Sequence, residues 1–243
     1  IDRGILIMEY LAGRPLDYHL DLPAAARTFA KIHQIKIKQS VNHLIVEQRP
    51  LSLIFDECSG LLETYFRSEL ANPGIRGFLE KLLIWAQNEK DKERFFIADP
   101  WLCIVNTEVN SGNFIVDKSR GSTHLIDWEM ARWGDPSSDL CHFCSPLTTL
   151  WKSNYLMSPG DRSSFLETYS RNIICRHLRE TLDDRIRLKL PFVMLRGISW
   201  SAMGWVAYQT NYHGIRNEDT RKKLDQYMDL DFISSLFTPF MES

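Results

Sequence analysis

The sequence predicts an α+β fold that is mainly helical, with a few short strands confined to one region. Short β-type runs separated by turn-forming residues fall between Ile104 and Glu129. On either side of this region, apolar residues recur at the three- and four-residue spacing of amphipathic helices. The chain has 243 residues, of which 44% are hydrophobic, so it is long enough to bury a large core.

Three helices are predicted on the N-terminal side of the strands. The segment Leu16–Ile35 is interpreted as a turn and then a helix, with Pro23 in its first turn. Its apolar face contains Ala26, Phe29, Ala30 and His33. A histidine on such a face is interpreted as a core residue rather than a ligand. Two further helices are predicted at Leu51–Leu70 and Ile75–Gln87.

The C-terminal half is predicted to be almost entirely helical. Ser158, followed by Pro159 and an acid in the first turn, is typical of a helix start, and this helix is predicted to run to about His177. A long helix, Asp184–Gln209, and a final helix, about Glu218–Leu236, follow.

Three polar residues stand at the ends of the predicted strands. Glu108 and Asn113 lie between the strands at Ile104-Val105 and Phe114-Ile115-Val116, and Asp127 follows His124-Leu125-Ile126. Loops held by a rigid scaffold often carry reacting groups. An acid, an amide five positions later and a second acid suit phosphoryl transfer, in which one carboxylate takes a hydroxyl proton while the other two groups hold Mg²⁺.

At these residues the chain resembles the aminoglycoside phosphotransferase and choline kinase-like family of small-molecule kinases, relatives of the protein kinases. The family's catalytic loop H-x-D-x-x-x-x-N is similar to Asn106–Asn113, and its I-D-[WF]-E segment to Ile126–Glu129. The segment Gly134–Leu140 also resembles the family's G-D-P-x-x-D-L. Two positions depart from the loop motif, because Asn106 replaces the histidine and Glu108 the aspartate.

The resemblance implies the C-terminal lobe of a protein-kinase-like fold, with ATP and Mg²⁺ as cofactors. It assigns Glu108 as the base, with Asn113 and Asp127 as the other catalytic residues and the metal ligands. Asn106 and Asp139 are assigned as structural support for the loop. The opening segment Ile5–Gly13 resembles the hinge, which implies that Glu9, Tyr10 and Leu11 contact the adenine.

The resemblance also predicts the domain organisation. Neither a glycine-rich loop nor a strand lysine of V-A-I-K type precedes the hinge segment. We therefore expect residues 1–13 to be the remnant of a hinge strand, and residues 14–243 to form a C-terminal lobe without its N-terminal lobe. Residues 104–129 are its catalytic region.

Three functions are compatible with these patterns. The first is an ATP-dependent enzyme that phosphorylates a hydroxyl of a small molecule. The second is a catalytically degenerate relative that binds a ligand or partner, which the residues Asn106 and Glu108 favour. The third is a helical scaffold without a ligand, in which the three polar positions would match the motif by coincidence.

Composition argues against a nucleic-acid-binding, membrane or secreted protein. A formal net charge of −2 gives no electrostatic basis for binding nucleic acid or an anionic membrane. The apolar start is too short for a signal sequence, and the apolar stretch Leu190–Tyr208 contains Pro191 and Arg196, so we expect a cytoplasmic protein. Its oligomeric state is left open.

Three further patterns have structural interpretations that require no ligand. Cys141-His142-Phe143-Cys144, with Cys175 and His177, formally allows a zinc site, but cysteines packed in a buried helix are the simpler interpretation. The run Glu89–Arg94 is interpreted as a solvated turn. Acids between Glu218 and Asp231 would suit a cationic acceptor, but they alternate with basic residues as on a solvated helix face.

Overall fold

A computed structural model describes residues 9–37, 43–210 and 217–242. It contains two small sheets and a larger number of helices, which confirms the predicted α+β class. The helices are α1 (Tyr18–Ile32), α2 (Pro50–Phe66), α3 (Pro73–Glu89), α4 (Arg94–Ala98), α5 (Ser137–Cys144), α6 (Pro146–Lys152), α7 (Pro159–Arg171), α8 (Arg176–Gln209), α9 (Glu218–Tyr227) and α10 (Leu230–Met241). The strands are β1 (Arg14–Pro15), β2 (Ile45–Val46), β3 (Cys103–Val105), β4 (Phe114–Asp117), β5 (Ser122–Leu125) and β6 (Arg132–Gly134).

The two sheets enclose the predicted catalytic region. In the first, β4 lies between β1 and β5, and both neighbours are antiparallel to it. In the second, β6 pairs antiparallel with β3 and parallel with β2. The loop after β3 leads into β4, and the loop after β5 leads into β6, so both loops run from one sheet to the other. This arrangement positions Glu108, Asn113 and Asp127 between the sheets.

Helix α8 is the longest element and forms the centre of the helical part. Its 34 residues span about 51 Å at the rise of an α-helix. It packs against α2 and α5, while α1 packs against α7. Aromatic rings that fill the core between α1, α5 and α7 include Phe29, Phe143 and Phe165, whose ring centroids lie 4.9 to 6.1 Å apart.

Several boundaries differ from the sequence predictions. Helix α1 begins at Tyr18 because the Asp17 side chain accepts a hydrogen bond from the His19 N–H, so Pro23 is the sixth helical residue and not part of the first turn. The helix predicted to reach His177 ends at Arg171, and the predicted final helix is two helices, because the Asp229 carboxylate caps α10 at the Phe232 N–H.

The prediction of a solvated turn at Glu89–Arg94 was wrong for one residue. Residues Lys90–Glu93 form a 3₁₀ turn in which Glu93 is buried. Its carboxylate accepts hydrogen bonds from the Ser52 N–H at 3.0 Å, the Ser52 hydroxyl at 2.6 Å and the Arg49 guanidinium at 3.2 Å. Glu93 therefore stabilises the start of α2. Its position within a run of charges of both signs gave no indication of this role.

The predicted hinge lies largely outside the described residues, since residues 1–8 are not among them. Residues 9–12 do not form a strand, so the strand prediction was wrong there, and the first strand is Arg14–Pro15. The Tyr10 side chain is 87% exposed. The adenine-binding role assigned to Glu9, Tyr10 and Leu11 stays a prediction.

Candidate active site

The predicted catalytic loop, Asn106–Asn113, is held at its base by Asp139 on α5. The fully buried Asp139 carboxylate accepts hydrogen bonds from the backbone N–H groups of Asn106 and Thr107, at 2.9 and 2.8 Å. It also lies 3.3 Å from Nε2 of His33, whose Nδ1 is 3.0 Å from the Tyr169 hydroxyl. His33 is thus a buried core residue, as predicted. Asp139 connects the loop backbone to α1 and α7 through this histidine.

We predict that Asp139→Ala lowers the free energy of unfolding by about 3 kcal/mol or more, because it leaves two buried N–H groups and a buried imidazole without their acceptor. Urea unfolding monitored by circular dichroism measures this change. Asp183→Ala, which removes an exposed carboxylate on α8, is the control and should change stability by less than about 0.5 kcal/mol. Equal stabilities of the two variants would contradict the assignment.

Asn106 links the two loops of the site. Its side-chain N–H₂ donates to the Asp127 carbonyl at 2.7 Å, and its side-chain oxygen accepts from the Glu108 N–H at 3.1 Å. The residue is fully buried. One amide therefore sets the position of Glu108 relative to Asp127, so replacement of the motif's histidine leaves a residue that still connects the two loops.

The backbone is strained at two points in the site. Among the described residues, Thr107 and Asp127 are the two non-glycine residues with positive φ, at 70° and 63°. Such a conformation is unusual for a β-branched residue and costs about 1–3 kcal/mol. Thr107 is held there by its bonds to Asp139, to the Met130 carbonyl at 3.1 Å and to His142. Strain of this kind concentrates at functional sites.

Asn113 and Asp127 present oxygen atoms that suit a magnesium ion. The Asn113 side-chain N–H₂ donates to the Glu108 carbonyl at 2.6 Å, which leaves its amide oxygen available. The exposed Asp127 carboxylate makes no hydrogen bond or ion pair with any described residue. Magnesium is commonly bound by one or two protein oxygens together with substrate phosphates, so this pair of donors fits the ion.

The environment of Glu108 raises its pKa. Partial burial is the main cause, and the negative charges of Asp127 and Glu129 act in the same direction, whereas the positive charge of Arg196 opposes them. A carboxylate with a raised pKa is a better proton acceptor than a solvated one. Glu108 therefore has the character that a general base requires.

A cavity of about 580 Å³ opens beside Glu108. It lies between the catalytic loop and helices α2, α5, α8 and α9, and Glu108, Thr107 and Asn110 form one part of its wall. His142 on α5 also contributes, and Nδ1 of its ring lies 2.6 Å from the Thr107 carbonyl, so Nδ1 carries the proton. Burial and the nearby Arg196 lower the pKa of His142 to about 4, which keeps the ring neutral at neutral pH.

Several charged residues near the site were not apparent as structural residues from the sequence. Arg185 on α8 is fully buried and pairs with Asp135 and with Asp99. Asp135 in turn accepts from the Ser137 N–H at 2.9 Å and so holds the start of α5, the helix that carries Asp139. The available signal was the four-residue spacing of Arg185 and Lys189, which places both side chains on one face of α8.

We predict that Arg185→Met destabilises the protein by about 3–5 kcal/mol, because Asp135 would remain buried without a counter-charge. Chemical denaturation measures the effect. Arg187→Met on the same helix removes an exposed arginine that pairs with Asp184 and should be nearly neutral. A small effect of Arg185→Met would show that the Arg185–Asp135 pair does not hold α5.

The cysteines of α5 are packing residues and not zinc ligands of the kind that their spacing formally allowed. Cys141 and Cys144 are buried free thiols on α5, in agreement with the simpler interpretation. Within residues 9–37, 43–210 and 217–242, no group of three or more His, Cys, Asp or Glu side chains is arranged to hold a metal ion. No helix in the described part of the chain is both long and apolar enough to cross a membrane.

The fold and the two loops define a kinase-like phosphotransferase lobe. Residues 2–172 match the model of the phosphotransferase enzyme family (APH), and the chain therefore belongs to this family. No curated protein matches the sequence. The family assignment confirms the resemblance inferred from the loop motifs.

Two solved structures are similar to the chain in fold. An ethanolamine kinase from Plasmodium vivax has 13% sequence identity and a TM-score of 0.62, with 98% of this chain and 67% of that chain covered. An aminoglycoside phosphotransferase from Alicyclobacillus acidocaldarius has 16% identity and a TM-score of 0.56, with 96% and 70% covered. This chain therefore spans about two thirds of the length of each structure.

Proposed function

We propose that the protein transfers the γ-phosphate of ATP to a hydroxyl group of a small molecule. The observation that carries this proposal is the arrangement around Asn106, which connects Glu108 to the Asp127 loop while Asn113 is bonded to the Glu108 carbonyl. A proton acceptor and two magnesium ligands are thereby joined by hydrogen bonds in one unit. Membership of the phosphotransferase family supports the same reaction class.

In the proposed reaction, Glu108 accepts the proton of the acceptor hydroxyl, which lies in the cavity beside it. Asn113 and Asp127 would hold Mg²⁺, which, when bound with the nucleotide, neutralises charge on the phosphates. Asn106 and Asp139 keep the loop in place, so that the base is positioned before the substrate binds. The residues that cover the phosphates, including a lysine, are expected from an N-terminal lobe.

The test is ADP formation by the complete protein with ATP and a panel of hydroxyl compounds. The proposal expects ADP formation that requires both Mg²⁺ and a hydroxyl compound. The second candidate function is ligand binding without phosphoryl transfer, which Glu108 favours because its side chain is one bond longer than the motif's aspartate. Binding of nucleotide and hydroxyl compound without any ADP would establish that second function.

A further inference from the structure

The cavity beside Glu108 has a balanced charge. Its charged lining residues, among those described, are three carboxylates and three cations: Glu47, Glu57, Glu108, Arg132, Lys189 and Arg196. His142 adds no charge at neutral pH, because its pKa is lowered to about 4. The described wall therefore has a formal charge of zero.

Glu47 is neutralised within the wall. Its buried carboxylate lies 3.4 Å from the ammonium of Lys189, which is fully buried, and 4.0 Å from the guanidinium of Arg132. The Ser138 hydroxyl donates to it at 3.3 Å. Gly134 has no Cβ, and a Cβ there would lie only 2.6 Å from the Glu47 carboxylate, so a larger residue would displace that carboxylate. The Glu47 carboxylate is thus neutralised by residues of the protein itself and does not serve as a partner for a cationic ligand.

Glu57 is also paired. Its carboxylate accepts from Nε of Arg196 and from the indole N–H of Trp200, both at 3.0 Å. Glu108 is then the lining carboxylate without a hydrogen bond or ion pair to any described residue, and it is the proposed base. On α9, Asp225 accepts from the Trp205 indole at 2.9 Å and pairs with Arg221.

Most of the remaining wall is apolar. It includes aliphatic and aromatic side chains from α2, α6, α8 and α9, namely Ile54, Leu147, Trp151, Val193, Met203 and Leu224. A cation in such a cavity loses its hydration and finds, in the described part of the wall, no unpaired carboxylate other than the one that must take the proton. A neutral apolar compound loses little hydration and buries apolar surface.

We propose that the acceptor is an uncharged, largely apolar hydroxyl compound and not a cationic one. The inference rests on the proposed function, because it assigns the cavity as the acceptor site. A cavity of about 580 Å³ is in the size range of sites for drug-sized ligands. Ion pairing inside the wall sets this preference, because it removes the anionic groups that would otherwise recognise an amine.

The test compares two probes of equal shape. 2-(Benzyloxy)ethanol is neutral, whereas N-benzylethanolamine has a protonated amine in place of the ether oxygen. Dissociation constants are measured on the complete protein by ligand-observed NMR, without nucleotide. The neutral probe is expected to bind about tenfold more tightly, because the amine must be desolvated without a partner. Equal or tighter binding of the amine, as an aromatic cage would produce, overturns the proposal, and so does binding of neither probe.

A charge-pair variant is expected to abolish the preference. Arg196→Met removes the cation from Glu57 while keeping an apolar chain of similar length. We expect the affinity for N-benzylethanolamine to rise about tenfold and that for the neutral probe to change little, because only the amine interacts with the released carboxylate. Arg187→Met, on an exposed face of the same helix, is the matched control and should alter neither constant.

The binding outcomes are independent of phosphoryl transfer. If the neutral probe is preferred but no ADP forms with any hydroxyl compound, the proposed function fails and the cavity remains a site for neutral ligands. If ADP forms only with amines, the substrate class is wrong and the phosphotransferase function stands. An Arg196→Met protein that fails to fold leaves the wild-type comparison as the deciding measurement.

Discussion

Replacement of Glu108 by Gln is expected to lower the rate of phosphoryl transfer by about 10²–10⁴-fold, the usual contribution of a positioned general base. The amide keeps the size of the side chain but does not accept the proton. Binding should be spared, since the Glu108 backbone carbonyl that fixes Asn113 is unchanged. Initial rates and nucleotide titrations on the same preparations separate the two effects.

The pH dependence gives a second signature of the same residue. The base must be deprotonated, and burial raises the pKa of Glu108, so the rate should fall as the pH decreases through this raised value. The decrease in rate at low pH should therefore begin at a higher pH than it would with a solvated glutamate as the base. The Glu108→Gln variant should not show this decrease. Glu63 is an exposed glutamate that pairs with Arg67, so Glu63→Gln should retain both the wild-type rate and the decrease in rate at low pH. Full turnover in Glu108→Gln would exclude Glu108 as the base.

Removal of the Asp127 carboxylate is expected to weaken Mg²⁺-dependent nucleotide binding by about 100-fold or more, because even groups that only orient a metal ligand contribute about 10–100-fold. The measurement is nucleotide affinity of Asp127→Ala with Mg²⁺ and with a chelator. In the wild type, Mg²⁺ should increase the nucleotide affinity. In Asp127→Ala, the nucleotide affinities measured with Mg²⁺ and with the chelator should be nearly equal.

Two further variants make this result specific. Asp127 has positive φ, which alanine tolerates poorly, whereas asparagine adopts it readily, so Asp127→Asn removes the charge with less backbone strain. Glu129→Ala removes an exposed carboxylate two residues further on and should leave the magnesium effect intact. Magnesium-dependent binding that survives in both Asp127 variants would refute the assigned metal role.

The candidate site could be proposed from sequence because its residues lie close together in the chain. Glu108, Asn113 and Asp127 fall at strand ends, and the loop spacing is specific enough to indicate the phosphotransferase family. The contacts through which individual residues support the loop were not accessible in the same way. Asn106 and Asp139 exert their effects through hydrogen bonds to residues 21 and 33 positions away.

The acceptor cavity could not be predicted because its wall is assembled from distant segments. Glu47 pairs with Lys189, 142 residues away, and Glu57 with Arg196, 139 residues away. Each of these residues resembles an ordinary surface charge when it is considered in sequence. Their burial and pairing, and with them the neutral character of the cavity, exist only after α2 and the segment that precedes it have packed against α8.

The sequence alone therefore determined the α+β class, the family and the position of the two loops, because hydrophobic periodicity and loop spacing are properties of neighbouring residues. Only the structure showed where α1 begins and where α7 ends, that Glu93 and Asp135 are buried, and which carboxylates have partners. The physical reason is that burial and ion pairing depend on contacts between segments far apart in the chain. Those contacts leave no periodic signal in the sequence.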